Sequence, residues 1–377
     1  MRVVFTCGGT AGHVNPAVAV ASMVKNRVAG AEILFVGAQG GMEERLVPRE
    51  GFELRVIKAQ NLRHSMSPKA FVHNAKTVSL MFGALGEAKR ILKEFKPDVV
   101  VGTGGYACFP AVRAASKMGI PCCIHESNAI PGVTTKLLAK QVDKVLLGFE
   151  GSKEFYPNPE KVVFTGMPVR KAFMLADRNT ARAELGLDGR RVLLSFFGSL
   201  GARDMNAKMI RLIKSVKESG EYQIIHVTGK RDFARVTSSL REQGICPDTC
   251  ENLRLMEYAY DMPKLMAAAD LVVCRAGAST LSEVAVMGKP AILVPSPNVV
   301  NDHQEKNARM LAKGGGAVVC TEESLGEDAL GGEVTAIFNA PGRLEEMSVK
   351  LLENAVFDAC DRIYDIVVEL AGGKKTS

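Results

Sequence analysis

The sequence lacks long apolar runs, basic tracts and tryptophan, and each absence excludes a class of protein. Its longest apolar runs, at 98–103 and 290–295, are far shorter than the roughly 18 to 20 residues needed to cross a bilayer, so we predict no membrane-spanning segment. Residues 1–9 carry one arginine and a short apolar stretch, which is not the pattern of a signal peptide, and we expect a cytoplasmic chain. Nucleic acid is not an expected partner, because there is no block of like charges, no Trp and only 6 Tyr to stack on bases.

Paired cysteines are missing as well. The 9 cysteines include no Cys-x-x-Cys pair, and thiols in the cytoplasm stay reduced. We therefore predict neither structural disulfides nor a zinc site, and we expect no cofactor.

What is present is the composition of a two-domain globular protein. The 377 residues exceed the roughly 250 to 300 at which a single core stops growing. A hydrophobic fraction of 47% with 24% charged residues excludes disorder for most of the chain. The net charge of +7 is scattered along the chain, which suits anionic small ligands or an anionic membrane surface.

Short β-branched runs alternate with longer helical segments, which is typical of parallel sheets with crossover helices. Two similar series of runs predict an α/β protein with two doubly wound, Rossmann-like domains facing across a cleft. We place the first domain at 1–163 and the second at 164–344, and we expect one long final helix at about 343–370. The C-terminal segment 345–377, which contains most of this helix, is expected to join the first domain. Ligands of open α/β sheets bind beyond the carboxyl ends of the strands, so the strand-to-helix turns are the expected sites of chemistry.

The first such turn, Gly8-Gly-Thr-Ala-Gly-His13, follows a strand and precedes a helix. Glycines let backbone N–H groups approach an anion, and the helix N-terminus adds partial positive charge, so a phosphate is one expected ligand; a tight turn that only packs the helix is the alternative. His13 is our candidate general base, because neutral imidazole is well matched to taking a proton from a hydroxyl at neutral pH. A helix-capping role for His13 stays open.

Other turns carry polar groups. In the first domain 102–106 and 125–132 end strands, and they suggest a polyhydroxylated or phosphorylated ligand, with ordinary turn chemistry as the alternative. In the second domain a helix beginning near Gly277 would hold a pyrophosphate with its N–H groups and hydroxyls, and Glu283 would accept hydrogen bonds from a ribose. Gln304 and Asn307 offer carboxamides to sugar hydroxyls. No Asp-x-Asp occurs, so the paired carboxylates that commonly hold a metal ion on a sugar nucleotide are missing, and we predict a metal-independent site.

These motifs together resemble the MurG family of bacterial glycosyltransferases, which has the GT-B fold. The resemblance implies transfer of N-acetylglucosamine, with inversion, from UDP-N-acetylglucosamine (UDP-GlcNAc) to the 4-hydroxyl of the muramyl sugar of lipid I, an undecaprenyl-pyrophosphoryl muramyl peptide. The product would be lipid II for peptidoglycan synthesis, made by a peripheral protein on the cytoplasmic face of the membrane, and cell-wall synthesis proteins stay open as partners. The motifs that carry the resemblance are Gly8-Gly-Thr-Ala-Gly-His-Val-Asn-Pro16, Gly104-Gly-Tyr106, His125-Glu-Ser-Asn128, Gly166-Met-Pro-Val-Arg170, Gly198-Ser-Leu-Gly-Ala-Arg203, Arg275-Ala-Gly-Ala-Ser-Thr-Leu-Ser-Glu283 and Asp302-His-Gln304.

The resemblance also assigns site residues. It implies His13 as the catalytic residue, and acceptor contacts at Gly9, Asn15, Gly104, Gly105, Tyr106, His125 and Glu126. The implied donor contacts are Thr10, Ala11, Gly12, Asn128, Arg170, Ser199, Ala259, Ala278, Ser279, Thr280, Leu281, Ser282, Glu283 and Gln304.

One position departs from the family pattern. Phe197 stands where the family usually has a glycine, giving Phe-Gly-Ser in place of Gly-Gly-Ser, and this departure bears on how closely the turn approaches the α-phosphate.

Three other functions stay open. A transferase acting on a diacylglycerol or a small natural product should lack the acceptor-side turns at 104–106 and 125–126. A sugar-nucleotide epimerase would need a second acid/base pair near the sugar. A non-catalytic binding subunit usually has the two domains on separate chains.

A lipid-linked acceptor requires a surface that docks on the membrane. Apolar residues recur at helical spacing through 69–96 with basic residues around them, and we predict that Phe82 and Leu85 face the headgroups while the later half packs inward. A stripe that is entirely core is the alternative.

Overall fold

The structure, a computed structural model, describes residues 1–60, 68–198, 201–299, 302–326 and 328–372, with only the backbone for 68–76, 78 and 79. Residues cluster into two compact units, Met1–Arg170 with Val356–Ser377, and Lys171–Ala355. The chain thus passes into the second unit after Arg170 and returns after Ala355, whereas the sequence placed these crossings at 163 and 344.

The first unit is a seven-stranded parallel sheet with the order β3-β2-β1-β4-β5-β6-β7. Its strands alternate buried side chains between two layers of helices, with Val4 on one face and Val3 and Phe5 on the other. The strands are β1 Arg2–Thr6, β2 Glu32–Ala38, β3 Glu53–Ile57, β4 Val99–Gly102, β5 Cys122–Glu126, β6 Lys144–Leu147 and β7 Val162–Phe164. The helices are α1 Ala11–Arg27, α2 Glu43–Arg49, α3 Pro68–Phe95, α4 Cys108–Lys117, α5 Val133–Leu138 and α15 Ala359–Leu370, with 3-10 turns at Glu150–Phe155 and Pro159–Lys161.

The second unit is a six-stranded parallel sheet with the order β10-β9-β8-β11-β12-β13. Its strands are β8 Arg191–Phe196, β9 Tyr222–Val227, β10 Leu253–Met256, β11 Leu271–Cys274, β12 Ala291–Leu293 and β13 Ala317–Val319. Its helices are α6 Lys171–Leu175, α7 Arg178–Glu184, α8 Arg203–Ser219, α9 Phe233–Glu242, α10 Met262–Ala268, α11 Ala278–Val286, α12 His303–Ala312, α13 Ala329–Asn339 and α14 Arg343–Glu353. The α/β class and the two Rossmann-like domains are confirmed.

Each sheet reverses its strand order once, between β1 and β4 in the first unit and between β8 and β11 in the second. The turns that follow such neighbouring strands lie side by side at the carboxyl edge, which is where open α/β sheets bind ligands. The glycine-rich motifs at 8–13 and 102–106 flank the first reversal, and those at 198–203 and 275–278 flank the second.

The prediction of one final helix over 343–370 is wrong, because α14 ends at Glu353 and α15 begins at Ala359. Asn354 closes α14 by donating its side-chain N–H to the Lys350 carbonyl at 2.9 Å. Val356 then packs so tightly on Gly166 that a Cβ atom there would collide with it. α15 lies against α1 in the first unit, where Ile363 and Val367 are buried and Asp361 pairs with Arg27 at 2.5 Å.

All 9 cysteines are free thiols. Within the described ranges no cluster of His, Cys, Asp or Glu is arranged to hold a metal ion. Among the same residues, no helix combines the length and the apolar character needed to span a membrane.

Candidate active site

The glycine-rich turn after β1 leads directly into α1. Thr10 is the N-cap in extended conformation, and Ala11, Gly12 and His13 form the first turn of the helix. The first turn contains no acidic residue, so nothing there opposes the positive end of the helix dipole. The backbone arrangement is thus the one expected for an anion site, with Thr10, Ala11 and Gly12 at its centre.

The imidazole of His13 is held by this turn. Its Nδ1 lies 3.0 Å from the carbonyl oxygen of Gly8 and 3.3 Å from Oγ1 of Thr10. Because a carbonyl oxygen only accepts hydrogen bonds, Nδ1 carries the proton, and in the neutral ring the lone pair is on Nε2. The hydroxyl of Thr103 donates to the His13 carbonyl at 2.7 Å and ties α1 to the turn after β4.

The turns after β1 and β4 approach so closely that they need glycine. A Cβ atom at Gly104 would lie 2.8 Å from Cδ2 and 3.1 Å from Nε2 of His13. One at Gly9 would lie 2.8 Å from the ring of Tyr106, and one at Gly105 would collide with the backbone of Gly8. The structure therefore brings together five of the predicted acceptor-side and catalytic residues, all within the first unit.

Asn15 lies at the start of the second turn of α1, two residues beyond His13, and is half-buried. Arg170, a predicted donor contact, lies 3.7 Å from the carboxylate of Glu50.

The turn after β5 uses its polar side chains to hold itself in place. Glu126 is buried, and its two oxygens accept backbone N–H groups of Asn128 at 3.0 Å and Gly132 at 2.9 Å. The side-chain N–H of Asn128 donates to the same carboxylate at 3.3 Å. His125 is buried, its Nε2 donates to the carbonyl of Gly166 at 3.0 Å, and burial lowers its pKa. These contacts give His125 and Glu126 a structural role, and whether they also touch an acceptor stays a prediction.

In the second unit, Ser199 lies outside the described residues. The nearby residue Phe197, which departs from the family pattern, is described by the structure. The ring is 3% exposed and packs edge-on against His226, with centroids 6.3 Å apart, while the Arg275 guanidinium lies 5.9 Å from its centre. The side chain therefore points into the core of the second unit.

Helix α11 begins at Ala278 with Gly277 as its N-cap, and neither a side-chain cap nor an acidic residue occupies its first turn. Ser279 is buried, whereas Thr280 and Ser282 are half-buried and Leu281 packs into the core. Glu283 is only 8% exposed, which excludes the interpretation that it is a solvated surface carboxylate. Burial first, and then the Glu283 charge, raise the pKa of the Cys274 thiol at the end of β11.

Two further donor-side predictions lie on turns of the second unit. Ala259 follows β10 between Tyr258 and Tyr260, whose rings are 4.8 Å apart. Gln304, in the first turn of α12, accepts the Ser296 N–H at 2.9 Å through its side-chain oxygen. Asn307 is fully buried, and whether its carboxamide reads a sugar stays a prediction.

Two contacts that hold the candidate-site turns were not predicted from the sequence. Arg275 pairs with Glu322 and donates to the carbonyls of Val294 and Pro295 at 3.2 and 3.1 Å, which holds the start of the segment between β11 and α11. Glu43, at the start of α2, is fully buried and accepts the backbone N–H of Gly9 at 3.1 Å. The glycines of residues 37–41 are the only signal that could have pointed to Glu43.

Known protein families match both units. Residues 3–147 match the glycosyltransferase family 28 N-terminal domain, and residues 192–363 match its C-terminal domain. The chain is 40% identical over 375 residues to the UDP-N-acetylglucosamine–N-acetylmuramyl-(pentapeptide) pyrophosphoryl-undecaprenol N-acetylglucosamine transferase of Acetivibrio thermocellus, spanning 99% of both chains. A protein of the same name from Desulfitobacterium hafniense is 41% identical, spanning 98% of this chain and 100% of the relative.

Solved structures give the same picture of the fold. MurG of Acinetobacter baumannii superimposes with a TM-score of 0.71 at 28% identity, spanning 98% of this chain and 99% of its own. A UDP-GlcNAc 2-epimerase from Neisseria meningitidis has a TM-score of 0.68 at 15% identity, spanning 98% and 100%, and that likeness shows the fold alone.

Proposed function

Because the chain belongs to glycosyltransferase family 28 and, within it, to the MurG N-acetylglucosamine transferases, we propose that it transfers N-acetylglucosamine from UDP-GlcNAc to the 4-hydroxyl of the muramyl sugar of lipid I, with inversion. The product is lipid II. The orientation of His13 is the observation that carries the mechanism, because a single displacement needs a base at the acceptor hydroxyl and no enzyme nucleophile.

In this mechanism Nε2 of His13 takes the proton of the 4-hydroxyl as its oxygen attacks C1 of the sugar. The bond between C1 and the diphosphate oxygen breaks on the opposite face, and its electron pair leaves with UDP. Nδ1–H stays bonded to Gly8, so the ring is already turned to receive the proton. One attack from one face inverts the configuration at C1.

The departing diphosphate meets the start of α11. Three to four N–H groups at a helix N-terminus are without intrahelical partners, and the dipole adds partial positive charge. In this proposal Ser279, Thr280 and Ser282 supply hydroxyls from the first turns, and Glu283, which is buried, accepts hydrogen bonds from the ribose. Charge on the leaving group is thus met without a metal ion.

The acceptor carries a lipid, so part of the first unit docks on an anionic membrane surface at its cytoplasmic face. Helix α3 supports this proposal: Phe82 is 73% exposed, and Lys89, Arg90 and Lys93 are exposed beyond it. The later half of the helix packs inward through Leu92 and its neighbours. Leu85 is half-buried, so Phe82 is the better candidate for a membrane anchor.

The test is direct. The protein is incubated with UDP-GlcNAc labelled in the sugar and with lipid I, and the lipid-linked disaccharide is isolated and its linkage determined. A β-1,4 disaccharide is expected from the α-linked donor. Release of UDP with 2-epimerised sugar and no disaccharide would instead support the epimerase that shares this fold.

A further inference from the structure

Glu43 is a carboxylate enclosed in the first unit beneath the catalytic turn. Its side chain is fully buried, which is rare for a glutamate unless its charge has partners. Oε1 accepts the backbone N–H of Ala38 at 2.7 Å, and Oε2 accepts the backbone N–H of Gly9 at 3.1 Å. Both oxygens are therefore acceptors, as expected of an ionised carboxylate.

Three glycines make room for this side chain. A Cβ atom at Gly37 or Gly41 would collide with the Glu43 side chain, and one at Gly8 would lie 3.2 Å from Oε1. Glycine at these positions removes the atoms that would otherwise fill the space. The local sequence thus accommodates a carboxylate at this point, next to the turn that holds His13.

The Gly8–Gly9 peptide group joins Glu43 to His13. Its N–H, which belongs to Gly9, donates to Oε2 of Glu43 at 3.1 Å. Its C=O, which belongs to Gly8, accepts from Nδ1 of His13 at 3.0 Å. Because the peptide is planar and trans, the N–H and C=O point in opposite directions, so the carboxylate and the imidazole lie at its two ends.

Hydrogen bonds in such a chain polarise one another. A negative charge beside the N–H polarises the peptide group further and makes its carbonyl oxygen a stronger hydrogen-bond acceptor. A stronger acceptor holds the Nδ1 proton more firmly, fixes the tautomer and favours the positive imidazolium that forms when Nε2 takes a proton.

We propose that Glu43 is a positioning residue for His13, acting through the Gly8–Gly9 peptide as the carboxylate of a catalytic triad acts by direct contact. This inference rests on the proposed role of His13 as base. Glu43 itself touches neither substrate.

The other titratable groups around this chain of bonds are uncharged at neutral pH, held by their own hydrogen bonds or ion pairs, or exposed to solvent. Burial, followed by the charge of Glu43, raises the pKa of Cys7 and of Tyr106, and burial raises the pKa of Cys108 to about 12. Glu126 is engaged by Asn128 and Gly132. Glu44 and Arg45 of α2 are exposed and screened by solvent, and Asp361 of α15 pairs with Arg27 at the far end of α1.

The first test replaces Glu43→Gln, which keeps the shape and removes the charge. We expect kcat with a water-soluble lipid I analogue to fall at least tenfold, with less than a twofold change in KM for UDP-GlcNAc. Because the carboxylate favours the imidazolium, its loss lowers the pKa of His13, so the acidic limb of the kcat–pH profile moves to lower pH. Glu44→Gln is the matched control, since this neighbouring carboxylate is exposed and accepts only the N–H of Gly40 at 3.0 Å among the bonds described; it should leave kcat and the limb unchanged.

A second measurement does not depend on activity. The NMR titration of His13, with nitrogen-labelled histidine, is compared in the wild type and in Glu43→Gln. A lower pKa and a loss of the Nδ1–H tautomer preference support the proposal. An unchanged titration overturns it, even if kcat falls, because the fall would then be structural. If His13→Ala leaves kcat intact, the proposed base is wrong, and the titration still decides whether Glu43 is coupled to His13.

Glu43→Asp covers the case in which the glutamine variant does not fold. It keeps the charge but shortens the reach to Gly9, and we expect a lower kcat in the wild-type background. In a His13→Ala background the same change should have no further effect, because Glu43 acts through His13. Equal losses in both backgrounds would overturn the proposal.

Discussion

The tautomer of His13 decides what this side chain can do, and the Gly8 carbonyl fixes it. The sequence predicted the residue and the turn, since glycines after a strand and a histidine at a helix start are visible in the chain. It could not predict Glu43 as a partner, because the two N–H groups that Glu43 accepts come from Gly9 and Ala38, and only folding brings them to one carboxylate. The bond between the Gly9 N–H and a carboxylate 34 residues away leaves no mark on local spacing.

His13→Ala should lower kcat by a factor on the order of 10² to 10⁴, which is the usual contribution of a general base. Binding of UDP-GlcNAc, measured by calorimetry, should stay near wild type. His13→Gln is the control for side-chain shape. It should be as inactive as His13→Ala, and its melting temperature should be similar to that of the wild type. Weak donor binding with a preserved kcat would make His13 a capping or binding residue.

Glu283→Ala should weaken UDP-GlcNAc binding by about 1.5 to 3 kcal/mol, because charge-assisted hydrogen bonds to the ribose are lost. This corresponds to roughly a 10- to 150-fold rise in the dissociation constant. Since Glu283 is buried, the melting temperature must be measured beside the calorimetry. An unchanged affinity for UDP-GlcNAc in a folded variant would mean that Glu283 contributes only to packing near β11.

At the scale of elements, the pattern of runs predicted every strand, because a buried parallel strand is a short apolar segment that ends in a turn. The helices near the end of the chain were harder to predict from the sequence. Residues 343–370 have helical periodicity on both sides of Asn354, and the break depends on Val356 filling the space beside Gly166. Such a tertiary contact overrides a periodic pattern.

Helix α3 supports a prediction about membrane docking. Phe82→Ser should reduce binding to anionic liposomes while leaving the melting temperature and transfer to a water-soluble acceptor near wild type, because this ring is 73% exposed and contributes little to the core. Basic residues near an anionic leaflet contribute about 1 kcal/mol each, so high salt should weaken the binding of the wild type.

The control for this docking experiment is Val349→Ser, which removes an exposed apolar side chain from α14 in the other unit. It should bind liposomes as the wild type does. If Phe82→Ser binds normally too, the membrane face lies elsewhere on the protein.

At the scale of the whole molecule, the reaction should not depend on a divalent ion. Transfer is expected to continue at the same rate in excess EDTA, because in the proposed site α11 and its hydroxyls stabilise the departing UDP. The assay uses lipid I analogue and labelled donor with and without chelator. Loss of activity that returns with magnesium contradicts the proposed site.

The return of the chain to its first unit has a consequence for biosynthesis. Met1–Arg170 emerges from the ribosome long before α15 is synthesised. Until then, the face of α1 that later packs against Ile363 and Val367 has no partner. Lys171–Ala355 is by contrast continuous and can acquire all its packing in one stretch. The first unit therefore starts to be synthesised first but completes its packing last. During translation the uncovered apolar face of α1 is the surface that a chaperone would have to shield.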